Sequence, residues 1–537
     1  MVFYRNSIIS DQQGFNRRWY APNLEAVYLP THATDVVEAW ADVIANKKGS
    51  GGELQITGGR HCYENFVYNP KTKFIIDTTG LRDYGYDSRY GYYIDVGYGN
   101  WDMYRIFNNV YGLTLPAGSC YSVGLGGHLT GGGYGLLSRL HGLTVDHITA
   151  VDIVIQQDSS APELITASAS ENPDLYWALR GGGGGNFGII TRYYFSDPPR
   201  SPATMYSDAF TFEWRTITSA ERLGELLEGF SAYCSIQNDQ ELWSQFGIFH
   251  ANHQAAKSIS VIFYCFDVPS EGKTGSDYEA FLLDHISAMR RQFGDIAPLS
   301  DQPGNVIGHP WHGDTRSVAG PGDGTLRQYT YLEGVQNANG SGPNRFGKYK
   351  SAYMNKGFTP DMVEALYAGL TSTPVVGNHV PLDMSQSLCQ IDSYGCAINE
   401  LAADATPIPQ RSSIMKLQYQ TYWDNASPVG CDNQEQAQGH LDWIKGLYTD
   451  VYAVYGGYPN PYEDSSGTVD GCYYNYCDSD LGTNGPMGPG NMGIDFAMRL
   501  YFKDNFNASG DPDKNLQAIK RKYNANNWFA SAQSIPV

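Results

Sequence analysis

The 537-residue chain reads as a two-domain α+β protein, and three features of the sequence predict it. Short strands and helices alternate over the first 195 residues around two glycine-rich runs. A breaker cluster, Ser196-Asp197-Pro198-Pro199-Arg200-Ser201-Pro202, then interrupts the pattern. Beyond it, longer strands with helices between them suit an antiparallel sheet carrying helices on one face. This places one domain at residues 1–200, a second at 201–482, and a return of the tail, 483–537, to the first.

The elements follow in order. Thr34 to Lys47 sets Val36, Val37, Trp40, Val43 and Ile44 on one stripe behind a Thr34 cap, predicting an amphipathic helix. Glu53–Ile56, Phe74–Asp77 and Tyr92–Val96 read as strands, and Trp101–Val110 as a helix. Ile148–Gln156 is a β-branched run typical of a buried strand; Asp174–Leu179 is a short helix and Phe187–Phe195 a strand. The alternation favours α/β pairing in this part. Further on, Ile259–Phe266 and Ser413–Trp423 predict strands, and Tyr278–Gln292 and Thr359–Gly369 helices. Tyr501, Phe502, Tyr523 and Trp528 give the tail an apolar surface.

Composition bounds the function. A net charge of -20 argues against nucleic acid and anionic membrane surfaces as partners. Forty Tyr and ten Trp suit burial, and also stacking against polar rings such as sugars. No run of eighteen apolar residues predicts a membrane span, and the first residues carry no apolar stretch of secretory length. Nine cysteines at irregular spacing predict no disulfide framework, although Cys389/Cys396 and Cys472/Cys477 could pair in an oxidising compartment. Asn339, Asn425 and Asn507 open N-x-S sequons. His250-Ala-Asn-His253 and His309-Pro-Trp-His312 have metal-like spacing but lack a third ligand, so no metal is expected.

The glycines point to a ligand. Leu115–Leu143 holds nine of them around one cysteine, and such a backbone can cradle a diphosphate. Gly183-x-Gly185-x-x-Gly188 matches the Rossmann fingerprint on paper. It runs into a strand rather than a helix, so a different dinucleotide-binding mode is required.

Thr57-Gly58-Gly59-Arg60-His61-Cys62-Tyr63, Ala117-Gly118-Ser119-Cys120 and Gly124-Leu-Gly-Gly-His128 through Gly131-Gly-Gly-Tyr-Gly135 together resemble the vanillyl-alcohol-oxidase type of FAD enzyme, in its bicovalent subgroup. The resemblance implies that family's two-domain α+β FAD-binding fold and a flavin bonded through its 8α-methyl to His61 and through C6 to Cys120. Arg60 departs from the pattern, standing where the family loop usually has glycine. Carried over residue by residue, the cofactor set also includes Thr57, Gly58, Gly59, Arg60, Cys62, Gly118, Ser119, Val123, Gly124, Gly127, His128, Gly131, Gly188, Ile190 and Asn475. Val123 falls where the family places its oxygen gatekeeper, and valine there accompanies oxidases.

Further segments are similar to the hexose oxidase-like branch: Gln13-Gly-Phe-Asn-Arg-Arg-Trp19, Leu179 to Thr191, Asn339 to Asn344, Gly347 to Met354, Lys416 to Trp423 and Gln533 to Pro536. They span essentially the whole chain. Tyr473-Tyr-Asn-Tyr-Cys-Asp-Ser-Asp-Leu-Gly482 is similar to the Y-x-N-Y-x-D-x-D-L-G signature of berberine-bridge-like enzymes, which implies that Tyr473 or Tyr476 takes the substrate hydroxyl proton. A base of this kind needs a nearby cation or acceptor, because free tyrosine titrates near 10; Lys416 and Asp392 are the candidates, Asp392 matching a Q-x-D pair of related oligosaccharide oxidases. Gln390 and Gln418 would bind sugar hydroxyls. The implied activity is oxidation of the C1 hydroxyl of a hexose or disaccharide to the lactone, with FAD accepting hydride and O2 becoming H2O2. The alternatives are a tailoring oxidase acting on a glycoside or other natural-product alcohol, and a non-enzymatic carbohydrate-binding flavoprotein.

Overall fold

The computed structural model describes residues 3–6, 9–47, 52–157, 161–237, 241–251, 259–267, 275–292, 316–317, 327–377, 379–424, 433–488 and 491–537. Ala33–Asp42 is the first helix, and Val43–Lys47 continues it as a wider π turn. Its cap is His32 rather than Thr34, because the Asp35 carboxylate accepts from the backbone N–H of both Thr31 and His32 at 3.0 Å. Val36, Ala39, Trp40 and Val43 are fully buried. Trp40 meets Phe529 at 4.9 Å between ring centroids and Trp528 at 6.3 Å, so the tail packs on the first helix.

Two sheets come from the first 195 residues. The smaller runs Phe3–Asn6, Ala26–Leu29, Phe74–Asp77, Leu54–Thr57 in spatial order, and only its last three strands are parallel. The other runs Tyr84–Asp87, Gly91–Asp95, Ile189–Phe195, Ile148–Ile155, Glu163–Ser168 and is antiparallel throughout. The α/β reading of this region therefore holds only for the smaller sheet. In the larger one a tight hairpin joins Asp87 to Gly91, and the helices that separate other strands, such as Pro173–Leu179 before Ile189–Phe195, do not make any pair parallel. Ile189–Phe195 follows Gly188 directly, so no helix opens after the glycine fingerprint.

Residues 204–423 supply an eight-stranded antiparallel sheet, ordered Arg316–Ser317, Arg327–Thr330, Thr204–Phe212, Ile259–Phe266, Leu242–Phe249, Leu388–Ser393, Met415–Trp423, Phe346–Met354. Helices Ala220–Cys234, Pro360–Thr371 and Asn433–Val451 cover one face. Strand parity makes the two faces differ. Met415, Leu417 and Tyr419 point to the helices, where the Tyr419 hydroxyl meets that of Tyr452 at 3.0 Å. Lys416, Gln418, Gln420 and Tyr422 point the other way. Each buried apolar side chain contributes about 1.5–3 kcal/mol, which anchors the sheet to its helices. The opposite polar row must be hydrogen-bonded, since an unmet buried polar group costs about 1–3 kcal/mol. That row is the floor of the site.

Candidate functional site

A cavity of about 450 Å3 lies between the glycine loops of residues 57–62 and 118–128, the polar face of the large sheet, and segment 473–477. Every sequence-derived cofactor residue lines it except Gly131, as do Tyr473, Tyr476, Asp392, Gln390 and Gln418. Lys416 stands just behind the lining. Gly131 acts one layer out, since a Cβ there would lie 2.3 Å from the Asn475 amide, whose nitrogen donates to the His128 carbonyl at 2.9 Å. His141 does not line the cavity.

The loops touch each other backbone to backbone. A Cβ on Gly59 would sit 2.2 Å from the Gly124 nitrogen, and one on Gly124 would sit 2.4 Å from the Gly59 nitrogen. These two glycines serve loop–loop contact, whereas Gly127 has open space where its Cβ would be. Arg60 takes the left-handed φ of 61° that glycine would adopt without cost. Its guanidinium compensates by holding Asp77 at 2.6 Å and the Ser10 carbonyl at 3.0 Å, so the loop keeps its path despite the departure from glycine.

The wall fits a flavin dinucleotide. The N–H groups of Gly59, Arg60 and His61 donate to no acceptor among the described residues, an arrangement suited to a diphosphate. Asn100 Oδ1 is buried in the wall without a partner, while its amide nitrogen donates to the Cys120 carbonyl at 3.2 Å. His61 stacks on Phe15 at 4.8 Å and meets Ser122 Oγ at 2.8 Å, and burial lowers its pKa to about 4. A neutral imidazole there keeps a nucleophilic nitrogen. Burial pushes the Cys120 thiol up, partly offset by a backbone hydrogen bond with Gly340 and then by the Lys416 charge. His128 is likewise held neutral, its pKa lowered to about 4 by burial and then by Lys416, and its Nε2 accepts from the Gly118 N–H at 2.8 Å.

Opposite these loops, Lys416 Nζ lies 3.1 Å from Asp392 Oδ2 and 3.2 Å from the Tyr476 hydroxyl. Asp392 Oδ1 accepts from Gln245 and Gln390, both at 2.9 Å. Gln420 donates to Gln390 and Gln418, Tyr422 donates to Gln420, and Gln418 donates to Tyr63. The pairing of Gln390 with Gln418 and of Asp392 with Lys416 across neighbouring strands builds this network. Burial, followed by the Asp392 charge, raises the Tyr476 pKa well above its ordinary value. Tyr473, 4.9 Å from Tyr476 between ring centroids, is also raised by burial and lowered somewhat by Lys416. Its hydroxyl is met by Asn475 at 3.4 Å rather than by the lysine.

Gln245, Gln420, Tyr422 and Asn100 escaped the sequence reading. Gln420 and Tyr422 share the parity of Lys416 and Gln418 in one strand, a signal present in the chain. Gln245 reaches Asp392 only through the register of a distant strand. Among the described residues no disulfide joins Cys389 to Cys396 or Cys472 to Cys477; Cys396 Sγ donates to the Ile236 carbonyl and Cys472 meets the Tyr448 hydroxyl. Asn339 is buried, accepting from the N–H of Tyr121 and Ser341, so its sequon faces inward. Asn425, His253, His309 and His312 lie outside the described residues. Among the described residues, no group of three or more His, Cys, Asp or Glu is placed to hold a metal, and no helix is long and apolar enough to cross a membrane.

Known proteins are similar to this chain in sequence and in fold. A sequence profile for the FAD binding domain matches residues 24–160, and one for berberine and berberine-like proteins matches residues 472–536. They define an FAD-dependent oxidoreductase. The hexose oxidase of Chondrus crispus is 36% identical over 98% of this chain and 93% of its own length. The aclacinomycin-N/aclacinomycin-A oxidase of Streptomyces galilaeus is 29% identical over 97% and 87%. Among solved structures, a glycopeptide hexose oxidase complexed with teicoplanin superposes with a TM-score of 0.81 at 25% identity, covering 100% of this chain and 99% of that one. The chain thus belongs to the hexose oxidase-like members of the berberine-bridge-type FAD-linked oxidoreductases.

Proposed function

We propose that this protein is a carbohydrate oxidase that converts the C1 hydroxyl of a hexose, or of a disaccharide reducing end, to the lactone. The observation that carries the reading is the Tyr476 hydroxyl, held by Lys416 beside Asp392 on a floor of glutamine amides, in the same cavity as His61 and Cys120. When bound, FAD supplies the hydride acceptor and returns its electrons to O2, giving H2O2. His61 and Cys120 would each hold it by a covalent bond, and the remaining cofactor residues of the cavity wall would seat it.

Tyr476 takes the proton from the sugar hydroxyl at its phenolic oxygen. Deprotonation of a buried phenol is costly, and the Lys416 ammonium 3.2 Å away is the group that offsets the cost. Asp392 fixes Lys416 in place while its other oxygen holds Gln245 and Gln390. Gln390 and Gln418 meet further sugar hydroxyls, and the Tyr63 and Tyr476 rings, 5.7 Å apart, offer apolar surface to the sugar face. Val123 controls the approach of oxygen. Tyr473 supports the ring of Tyr476 rather than serving as the base.

Acid precipitation tests the double tether. The yellow chromophore stays with the denatured protein, and His61→Ala or Cys120→Ala alone still retains it through the other bond; complete release from the wild type contradicts the proposal. The relative named as an aclacinomycin oxidase keeps a second reading in play, that of a sugar oxidised while attached to a natural product. Anaerobic bleaching by free glucose, lactose or cellobiose separates the two.

A further inference from the structure

Two thiols from opposite ends of the chain meet at the edge of the cavity. Cys62 follows His61 in the first glycine loop, and Cys477 follows Tyr476 in the berberine-like segment. Both line the cavity and neither is in a disulfide, and one lysine clamps their segments together: Lys348 Nζ lies 2.6 Å from Glu64, two residues after Cys62, and 2.6 Å from Asp478, the residue after Cys477. Cys62 Sγ also donates to the Glu64 carbonyl at 3.3 Å. No step of the proposed oxidation uses either sulfur.

We propose that Cys62 and Cys477 are a dithiol pair that hydrogen peroxide converts to a disulfide, cross-linking the loop that bears His61 to the segment that bears Tyr476. The two thiols are inequivalent. The hydrogen bond from Cys477 pulls Cys62 below the ordinary thiol range against the opposing effect of burial, while the same contact and burial push Cys477 up. Cys62 is therefore the attacking sulfur and Cys477 the resolving one. Elsewhere burial is the main cause that pushes thiols up, as at Cys234, Cys389 and Cys472.

The chemistry balances. The Cys62 thiolate attacks one oxygen of the peroxide; an S–O bond forms, the O–O bond breaks, and hydroxide leaves to become water with the Cys62 proton. Cys477 sulfur then attacks the Cys62 sulfenic sulfur, forming S–S and breaking S–O, and the departing hydroxyl leaves as water with the Cys477 proton. The dithiol loses two electrons and the peroxide gains them. Supply of peroxide during turnover rests on the oxidase reading, whereas added peroxide does not.

The test uses the flavin-loaded wild-type protein. After one equivalent of H2O2, alkylation and digestion without reductant, mass spectrometry finds the Cys62 peptide joined to the Cys477 peptide, two hydrogens lighter than their sum and separated by dithiothreitol. In Cys477→Ser the link is gone and dimedone traps a sulfenic acid on Cys62. In Cys62→Ser, Cys477 stays reduced. Recovery of both thiols alkylated from the peroxide-treated wild type overturns the proposal, as does sulfinic acid on Cys62 with Cys477 intact. A link formed by added peroxide but not by glucose and oxygen upholds the pair and counts against the sugar-oxidase reading.

Discussion

The two walls of the cavity are built from different material. The wall proposed to seat the cofactor is main chain: Gly59 and Gly124 press their backbones together, and the N–H groups of Arg60 and His61 beyond them donate to no acceptor among the described residues. The wall proposed to meet the substrate is side chain, a row of Lys, Asp, Gln and Tyr projecting from one face of a sheet whose other face is apolar. A backbone cradle tolerates no added atoms at its contacts, whereas a side-chain network can lose a member and retain the rest. The two walls are also clamped together. Lys348 holds Glu64 of the cofactor side and Asp478 of the base segment, each at 2.6 Å, and Lys350 holds Asp478 and Asp480 at 2.8 and 2.6 Å.

Substitution sharpens this contrast. Gly59→Ala forces a Cβ to within 2.2 Å of the Gly124 nitrogen, so flavin-loaded protein should be lost almost entirely; normal loading, read from the absorbance ratio of flavin to protein, would break the contrast. Lys348→Met leaves buried carboxylates short of a cation and should cost about 3–5 kcal/mol of stability, measured by urea unfolding.

Acid should weaken the cavity wall through His128 and the helix-covered face of the sheet through His440, which meets Thr421 at 2.7 Å and stacks on Trp423. The folded pKa of His128 and of His440 is lowered to about 4, below the ordinary 6.5, so the unfolded chain takes up protons first. Their contribution is complete above pH 6.5 and is lost as pH falls toward 4, by up to roughly 3 kcal/mol for each. Thermal midpoints across that window check the sign. Gln418→Ala removes one floor amide and should raise KM by about 2- to 10-fold, the worth of one hydrogen bond, with flavin content unchanged.

The same contrast decides what the sequence reveals. The cofactor wall is legible because its residues are contiguous: glycine density, His61 and Cys120 sit in two short stretches, and the tight loop contact demands glycine whatever the rest of the fold does. Even Arg60, which breaks the pattern, keeps the φ that the loop requires. The substrate wall is assembled by register. Gln390 and Asp392 could be marked by resemblance, but Gln245 becomes a neighbour of Asp392 only when strand Leu242–Phe249 pairs with Leu388–Ser393. The choice between Tyr473 and Tyr476 was equally closed, because it turns on which hydroxyl Lys416 reaches. The α/β reading fails for the larger sheet for a related reason: alternation of strands and helices along the chain does not fix strand direction.

The central claim is that Tyr476, assisted by Lys416, is the base facing the cofactor. Anaerobic mixing of the flavin-loaded enzyme with glucose, followed by the loss of flavin absorbance, tests it directly. Tyr476→Phe should bind the usual flavin yet be reduced about 10²- to 10⁴-fold more slowly, with Tyr473→Phe far less impaired. Reduction of Tyr476→Phe at the wild-type rate would contradict the account.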